Sequence, residues 1–254
     1  MSPQPACPPI TIVIPCYNEA DRLAVETLAA YRMPDRCLEL LFVDDGSLDG
    51  TLGVLKALCE RAPERMSYIS LACNSGKAEA VRQGMLHAMQ RSPGYVGFWD
   101  ADLATPLTEL PRLCQILDTH DAVQMVFGSR VKLMGRMIER KAYRHYFGRI
   151  LATVAALSLE IPIYDTQCGA KLFRVSDMLR EVFATPFTSR WMFDVEIIAR
   201  FKAILAAQGA SICSAIYEVP LRTWRDVAGS KVHPPDALRA FVDLAKIRRL
   251  YRRP

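Results

Sequence analysis

Asp100-Ala101-Asp102 sets two carboxylates one residue apart at the end of the aromatic-rich run Tyr95–Trp99. Hard divalent cations such as Mg²⁺ are held by one or two carboxylates together with substrate phosphates. The spacing therefore points to a metal gripping a nucleoside diphosphate. If Tyr95–Trp99 is a buried strand, its end delivers both carboxylates to the carboxyl edge of a sheet, where open α/β sheets bind ligands. Three other segments place polar groups comparably. Pro15-Cys16-Tyr17-Asn18-Glu19 closes a β-branched run. Asp44-Asp45-Gly46-Ser47 leads into Asp49-Gly50-Thr51, where glycines suit tight turns and a carboxylate can accept from a base or ribose. Asp44 reads as a turn cap rather than a ligand. Asn74-Ser75-Gly76-Lys77 has the tail of a phosphate loop, but position 71 is Leu71 rather than glycine, so that cradle is incomplete. No Gly-x-Gly-x-x-Gly follows the first apolar run, which argues against a dinucleotide site.

The elements that must position these groups follow from periodicity. The pattern predicts strands over Ile10–Pro15, Glu39–Asp44, Ser67–Ala72 and Tyr95–Trp99. Between them it predicts helices over Glu19–Tyr31, Asp49–Arg61 and Ser75–Gln90. This alternation implies a mainly parallel sheet covered by helices on both faces, an α/β fold. Downstream, a strand is expected over Ala122–Ser129, a long amphipathic helix over Arg140–Leu159 and extended chain over Thr166–Val175. A helix is expected over Phe193–Leu205, a strand ending in a charged loop over Ile212–Trp224, and an amphipathic helix over Ala237–Leu250. There is no internal repeat and no clear linker.

At 254 residues, 51% of them hydrophobic, the chain can bury a full core. No run reaches the ~18 apolar residues of a membrane span; the longest, Ile150–Ile163, is broken by Glu160 and Pro162. The N-terminus lacks the basic and apolar regions of a secretory signal, so residues 1–9 are expected to be a disordered lead-in and the protein to be cytoplasmic. The eight cysteines form no Cys-x-x-Cys pair, which argues against zinc and fits reduced thiols. The histidines show no ligand spacing. The net charge of +5 is unevenly spread. Arg130, Lys132, Arg136, Arg140, Lys141, Arg144 and Arg149 stand against Glu139, and a second basic cluster occupies residues 231–254. Such clusters suit phosphates or an anionic membrane.

Taken in order, Pro-x-Tyr-Asn-Glu, Val-Asp-Asp-Gly-Ser-x-Asp-Gly-Thr, Asn-x-Gly-Lys and Asp-Ala-Asp resemble the family 2 inverting glycosyltransferases of the GT-A (nucleotide-diphospho-sugar transferase) fold. Gly128-Ser129-Arg130, the run Asp165–Phe173, Arg190–Glu196, and Trp224 followed by Gly229-Ser230-Lys231 resemble the branch that glucosylates dolichyl phosphate. The related mannose synthases share a looser version. The resemblance spans Ile10 to Lys231, which makes 10–231 the expected catalytic domain and leaves 232–254 as a basic C-terminal helix.

The resemblance implies roles. Pro15, Tyr17, Glu19 and Asp45 would line a uridine pocket, with Lys77 near the nucleotide. Asp100 would contact ribose or sugar, and Asp102 would ligate Mg²⁺ or Mn²⁺ through the diphosphate. Arg130 and one of Arg140 or Arg144 would hold a polyprenyl phosphate. Asp194 and Glu196 would face donor sugar or acceptor, and Arg225 and Lys231 would neutralise the leaving diphosphate or the acceptor phosphate. The chain departs from the pattern at Ala104, Ala78 and Arg225. A phosphate acceptor is already anionic and needs arginine forks rather than a base; a hydroxyl acceptor would need one, with Asp194 the candidate. Membrane access would rest on Arg140–Leu159 and Ala237–Arg253. Other readings are a different donor (GDP-mannose or a UDP-N-acetylhexosamine), a hydroxyl acceptor, a nucleotidyltransferase, or a non-catalytic nucleotide- or nucleic-acid-binding module. The lack of aromatic and basic residues interleaved on a strand speaks against nucleic acid.

Overall fold

β-Branched and aromatic runs become the strands of a seven-stranded sheet among the described residues, ordered β3-β2-β1-β4-β7-β5-β8. The computed structural model describes residues 7–91, 93–139, 142–227 and 234–251, with side chains outside 142–147 and 234–238. The first half alternates as expected: β1 (Ile10–Cys16), α1 (Val25–Ala30), β2 (Leu38–Asp44), α2 (Thr51–Glu60), β3 (Met66–Ser70), α3 (Lys77–Gln90) and β4 (Tyr95–Trp99). Then follow α4 (Leu110–Thr119), β5 (Met125–Ser129), β6 (Met137–Glu139), α5 (Ala142–Leu159), β7 (Ala170–Arg174), α6 (Asp177–Ala184) and α7 (Phe193–Ala207). The chain ends in α8 (Ile212–Ala215), β8 (Ile216–Pro220), β9 (Thr223–Arg225) and α9 (Pro234–Tyr251).

Side chains alternate faces along a strand, and here both faces are covered. Val13, Val43, Phe98 and Phe173 join one core, with α3, α6 and α7. Ile12, Ile14, Phe42 and Trp99 join the other, with α2 and α4. Burial on both faces explains why the strands read as near-continuous apolar runs. The sheet is parallel except for β7, which lies antiparallel between β4 and β5. That insertion lays Ala170 opposite Trp99 and Lys171 opposite Phe98, carrying a downstream segment into the edge where Asp100 emerges.

Two expectations need correction. The helix expected over Glu19–Tyr31 is confined to Val25–Ala30. Asn18 sits at φ 50°, and the amides of Asn18, Glu19 and Ala20 donate to the side chains of Ser47, Thr51 and Asp49. Those side chains satisfy the backbone that a helix would otherwise have to satisfy. The strand expected over Ile212–Trp224 is instead α8, β8 and β9; Ser211 caps α8 by accepting from the Cys213 amide at 3.3 Å. Of the expected lead-in, residues 1–6 lie outside the described residues, and Pro9 O accepts from Gly94 N at 3.0 Å and Tyr95 N at 3.1 Å.

The apolar faces of the two helices expected to meet a membrane are largely spent on the core. Leu151, Ala155 and Leu159 of α5 and Ala240, Leu244 and Ile247 of α9 are buried. Ile150 and Leu157 on α5, and Val242 and Leu250 on α9, still point outward. No helix among the described residues is long and apolar enough to cross a membrane, and the cysteines form no disulfide there.

Candidate active site

Polar groups gather where β1, β2 and β4 end. Asp44 is the turn cap expected: it accepts from Ser47 N at 3.2 Å and Ser70 Oγ at 3.0 Å. Asp45 is buried, and its two oxygens accept from Ser75 N and Gly76 N, each at 2.8 Å. It therefore shapes the loop that presents Lys77. Gly46 and Gly76 supply the positive φ that this loop packing needs, 64° and 92°. Arg190 reaches over the same loop, donating to Ser75 O at 3.1 Å.

Lys77 is ion-paired with Asp100. The turn after β4 is closed by Leu103 N donating to Asp100 O at 3.1 Å, with Leu103 held at φ 49°. A leucine there is strained, and in the same turn Asp102 Oδ1 accepts from Ala104 N at 3.0 Å. Asp100 N donates to Gly169 O at 3.1 Å. A Cβ at Gly169 would lie 1.8 Å from Asp100 Oδ2, so only glycine lets β7 approach this carboxylate.

The two aspartates differ electrostatically. Burial pushes the Asp100 carboxyl up, but Lys77, with Lys171 and Arg130 beyond it, outweighs this and holds it below the usual range. Asp102 is raised, first by burial and then by the Asp100 charge; Lys77 and Arg22 only partly offset this. Arg22 lies 3.8 Å from Asp102 and 3.5 Å from Glu19, tying the β1 loop to the β4 turn. Pro15 and Tyr17 are half-buried at the end of β1.

Asp102 offers the oxygen donor chemistry that a hard divalent cation takes. Its carboxylate is under-compensated, and a metal would relieve the repulsion from Asp100. No group of three or more His, Cys, Asp or Glu suited to a metal occurs among the described residues. The remaining coordination would have to come from diphosphate oxygens and water, as is usual for Mg²⁺.

The second part of the site stands at the end of β5. Asp165 accepts from Arg130 Nε at 2.6 Å, Nη2 at 2.8 Å and the backbone amide at 3.1 Å. Burial opposes the Arg130 charge, and Asp165 outweighs it, raising the guanidinium. Asp165 is itself placed by Glu218, which accepts its backbone amide at 2.6 Å. The guanidinium lies 5.5 Å from the Trp224 ring, which gives that tryptophan a contact beyond packing. Arg225 is exposed, and its amide donates to Ala104 O at 3.0 Å, putting β9 beside the Asp102 turn.

Beneath both parts lies a charge pair that sequence reasoning missed. Lys171 is fully buried, 2.7 Å from Asp194 and between Phe98 and Phe127. Its signal was a lysine inside the apolar strand Ala170-Lys171-Leu172-Phe173, which demands a buried acid. Asp194 thus joins the cluster from below rather than standing open to a substrate. Glu196 does not join it: it is buried and accepts from Arg200 at 2.9 Å, Thr188 N at 2.8 Å and the Tyr251 hydroxyl at 3.1 Å. It ties α7 to α9, because residues 194 and 196 on a helix face different ways. Asp165, named as part of a motif with no role of its own, is the residue that fixes Arg130. Arg140 and Lys231 lie outside the described residues, and Arg144 lies on α5 where side chains are not described.

Residues 11–180 match the family model described as glycosyl transferase family 2. Curated relatives include the dolichyl-phosphate beta-glucosyltransferase of Saccharomyces cerevisiae, 30% identical over 95% of this chain and 75% of the yeast protein. The Homo sapiens protein of that name is 31% identical over 89% of this chain and 70% of its own. Among solved structures, glucosyl-3-phosphoglycerate synthase from Mycobacterium tuberculosis with phosphoglyceric acid superposes with a TM-score of 0.68 at 19% identity, covering 94% of this chain and 80% of that one. The same synthase with Mn²⁺, uridine diphosphate and glucosyl-3-phosphoglycerate gives 0.65 at 18% identity over the same shares. These likenesses show the GT-A fold.

Proposed function

The chain belongs to glycosyl transferase family 2, and from that premise we propose that it moves glucose from UDP-glucose, with inversion, to a polyprenyl phosphate of the dolichyl type, releasing UDP at the cytoplasmic face of a membrane. One observation carries the choice of acceptor. Asp194, the candidate base for a hydroxyl acceptor, is locked 2.7 Å from the fully buried Lys171, whereas Arg130 is held in a fixed orientation by Asp165 at the end of β5. The Asp194 carboxylate is thus already engaged within the protein. An oriented guanidinium is suited to a phosphate, which needs no general base. The names of the relatives support the same acceptor and sugar.

In this reading the uridine lies against the ends of β1 and β2, near Pro15, Tyr17 and Glu19, and the diphosphate lies between Lys77 and Asp102. Asp102 would hold the divalent cation, Mn²⁺ or Mg²⁺, with Asp100 behind it. When bound, the cation supplies neutralisation of the charge that grows on the departing diphosphate. Lys77 adds positive charge on the same side. Asp100 orients Lys77 and meets the sugar or ribose. Arg130, with Arg225 nearby and Arg140, Arg144 and Lys231 as further candidates, holds the acceptor phosphate for in-line attack on the anomeric carbon.

The test is a transfer assay with purified protein, Mn²⁺, detergent and polyprenyl phosphate, comparing labelled UDP-glucose with GDP-mannose. Label passing from UDP-glucose into the lipid phase, and stopped by EDTA, is expected. Lipid labelled only from GDP-mannose would overturn the donor, and glucose transfer only to hydroxyl acceptors would overturn the acceptor.

A further inference from the structure

The segment joining Arg130 to β6 is short and anchored. Arg136 N donates to Leu133 O at 3.2 Å, closing a tight turn, and Gly135 at φ 76° supplies the left-handed residue in it. Met137 N donates to Arg222 O at 2.8 Å, and β6 pairs with β9, so the base of the turn is fastened beside the site. Turn tips ordinarily carry polar residues. Here Met134 is fully exposed at 102%, with Leu133 at 48% and Met137 at 53%. Cations are concentrated here: Lys132 and Arg136 within the segment, exposed Arg222 just before β9 and exposed Arg225 at its end, against the acids Glu139 and Asp226 among the described residues.

We propose that this turn, Leu133-Met134-Gly135-Arg136, is a docking tip that enters an anionic bilayer and seats the Arg130 side of the site on it. Apolar side chains tipped beyond a cationic collar match a membrane surface: the side chains reach the acyl boundary while the cations stay among anionic head groups. A stable protein partner would need about 800 Å² from each side, more than a four-residue tip presents. The purpose of the docking rests on the lipid-phosphate reading, because the turn begins three residues after Arg130. The docking itself can be measured without any transfer.

The experiment is sedimentation of the full chain with vesicles of phosphatidylcholine alone and of phosphatidylcholine with about one-third phosphatidylglycerol. Retention on the anionic vesicles is expected. The double variant Leu133→Asp/Met134→Asp should lose about tenfold or more of that partitioning, and Lys132→Glu about fivefold, the latter effect shrinking with salt. Transfer to a short-chain, water-soluble polyprenyl phosphate should stay at the wild-type rate in the double variant, while transfer to long-chain acceptor in vesicles falls. Wild-type protein left in the supernatant, or a double variant that binds as well as wild type, would overturn the proposal. Equal retention on pure phosphatidylcholine would overturn the anionic assignment. If vesicle binding depends on Leu133 and Met134 but neither acceptor receives glucose, the docking stands and the transfer reading fails.

Discussion

The edge at β4 and the edge at β5 carry similar residues in different electrostatic states. At β5, Arg130 is matched by Asp165, and beneath it Lys171 is matched by Asp194. At β4, Lys77 answers Asp100, but Asp102 is left with a carboxyl raised by burial and by its neighbour. The β5 edge is thus complete within the protein and built for orientation. The β4 edge carries a charge, on Asp102, that Lys77 and the Arg22 contact at 3.8 Å only partly offset. Buried ion pairs add little net stability but fix geometry; an under-compensated carboxylate lowers stability and makes a binding site.

The largest expected effect tests the incomplete edge. Asp102→Asn should lower kcat for transfer about 10³-fold, the scale of losing electrostatic stabilisation of a departing group, and added Mn²⁺ should not restore it. Retention of activity within tenfold would mean that charge is neutralised elsewhere. Next is the link between the edges. Gly169→Ala puts a methyl into Asp100; the aspartate and Lys77 must shift, and a displacement near 1 Å costs about 10²-fold in rate. A variant with wild-type kcat would show that β7 yields instead. Smaller and more selective is Asp165→Asn, which keeps the side-chain volume and removes the charge that orients Arg130. The acceptor KM should rise about tenfold with the donor KM unchanged, and unfolding free energy should fall by about 3 kcal/mol as a nearly buried pair is broken. An equal rise in both KM values would erase the distinction between the edges.

The two edges also differ in how plainly the sequence announces them. Asp44 and Asp100 follow apolar runs directly, with Asp102 and Lys77 within a short loop of such runs, and in a parallel α/β sheet such residues emerge on one edge. Their placement needed only local periodicity. Asp165, Gly169 and Lys171 act through the antiparallel insertion of β7 between β4 and β5, a long-range pairing that no local pattern specifies. Lys171 did carry a local signal, a charge within an apolar strand, but its partner Asp194 is far along the chain. The short α1 is the opposite case: a helical pattern over Glu19–Tyr31 lost to Ser47, Asp49 and Thr51, whose side chains capture the intervening amides.

The comparison is sharpest in stability, where the same kind of substitution should act with opposite sign at the two edges. Asp165→Asn should melt below wild type at neutral pH. Asp102→Asn should melt above it when no metal is present, even though it abolishes transfer. Asparagine keeps the oxygen that accepts from Ala104 N and discards the charge. Because the folded-state pKa of Asp102 is raised, the folded protein binds that proton more tightly than the unfolded chain does. The metal-free wild type therefore gains stability as pH falls through the raised pKa, and the gain levels off below the unfolded value. The advantage of Asp102→Asn should be largest at neutral pH and disappear in acid, where the wild-type carboxyl is already neutral. Mn²⁺ with UDP should reverse the order by binding the folded wild type. Melting curves across pH, with and without Mn²⁺ and UDP, read all of this. A metal-free Asp102→Asn that melts below wild type at neutral pH would make Asp102 a structural residue like Asp165, and the two edges would then be built alike.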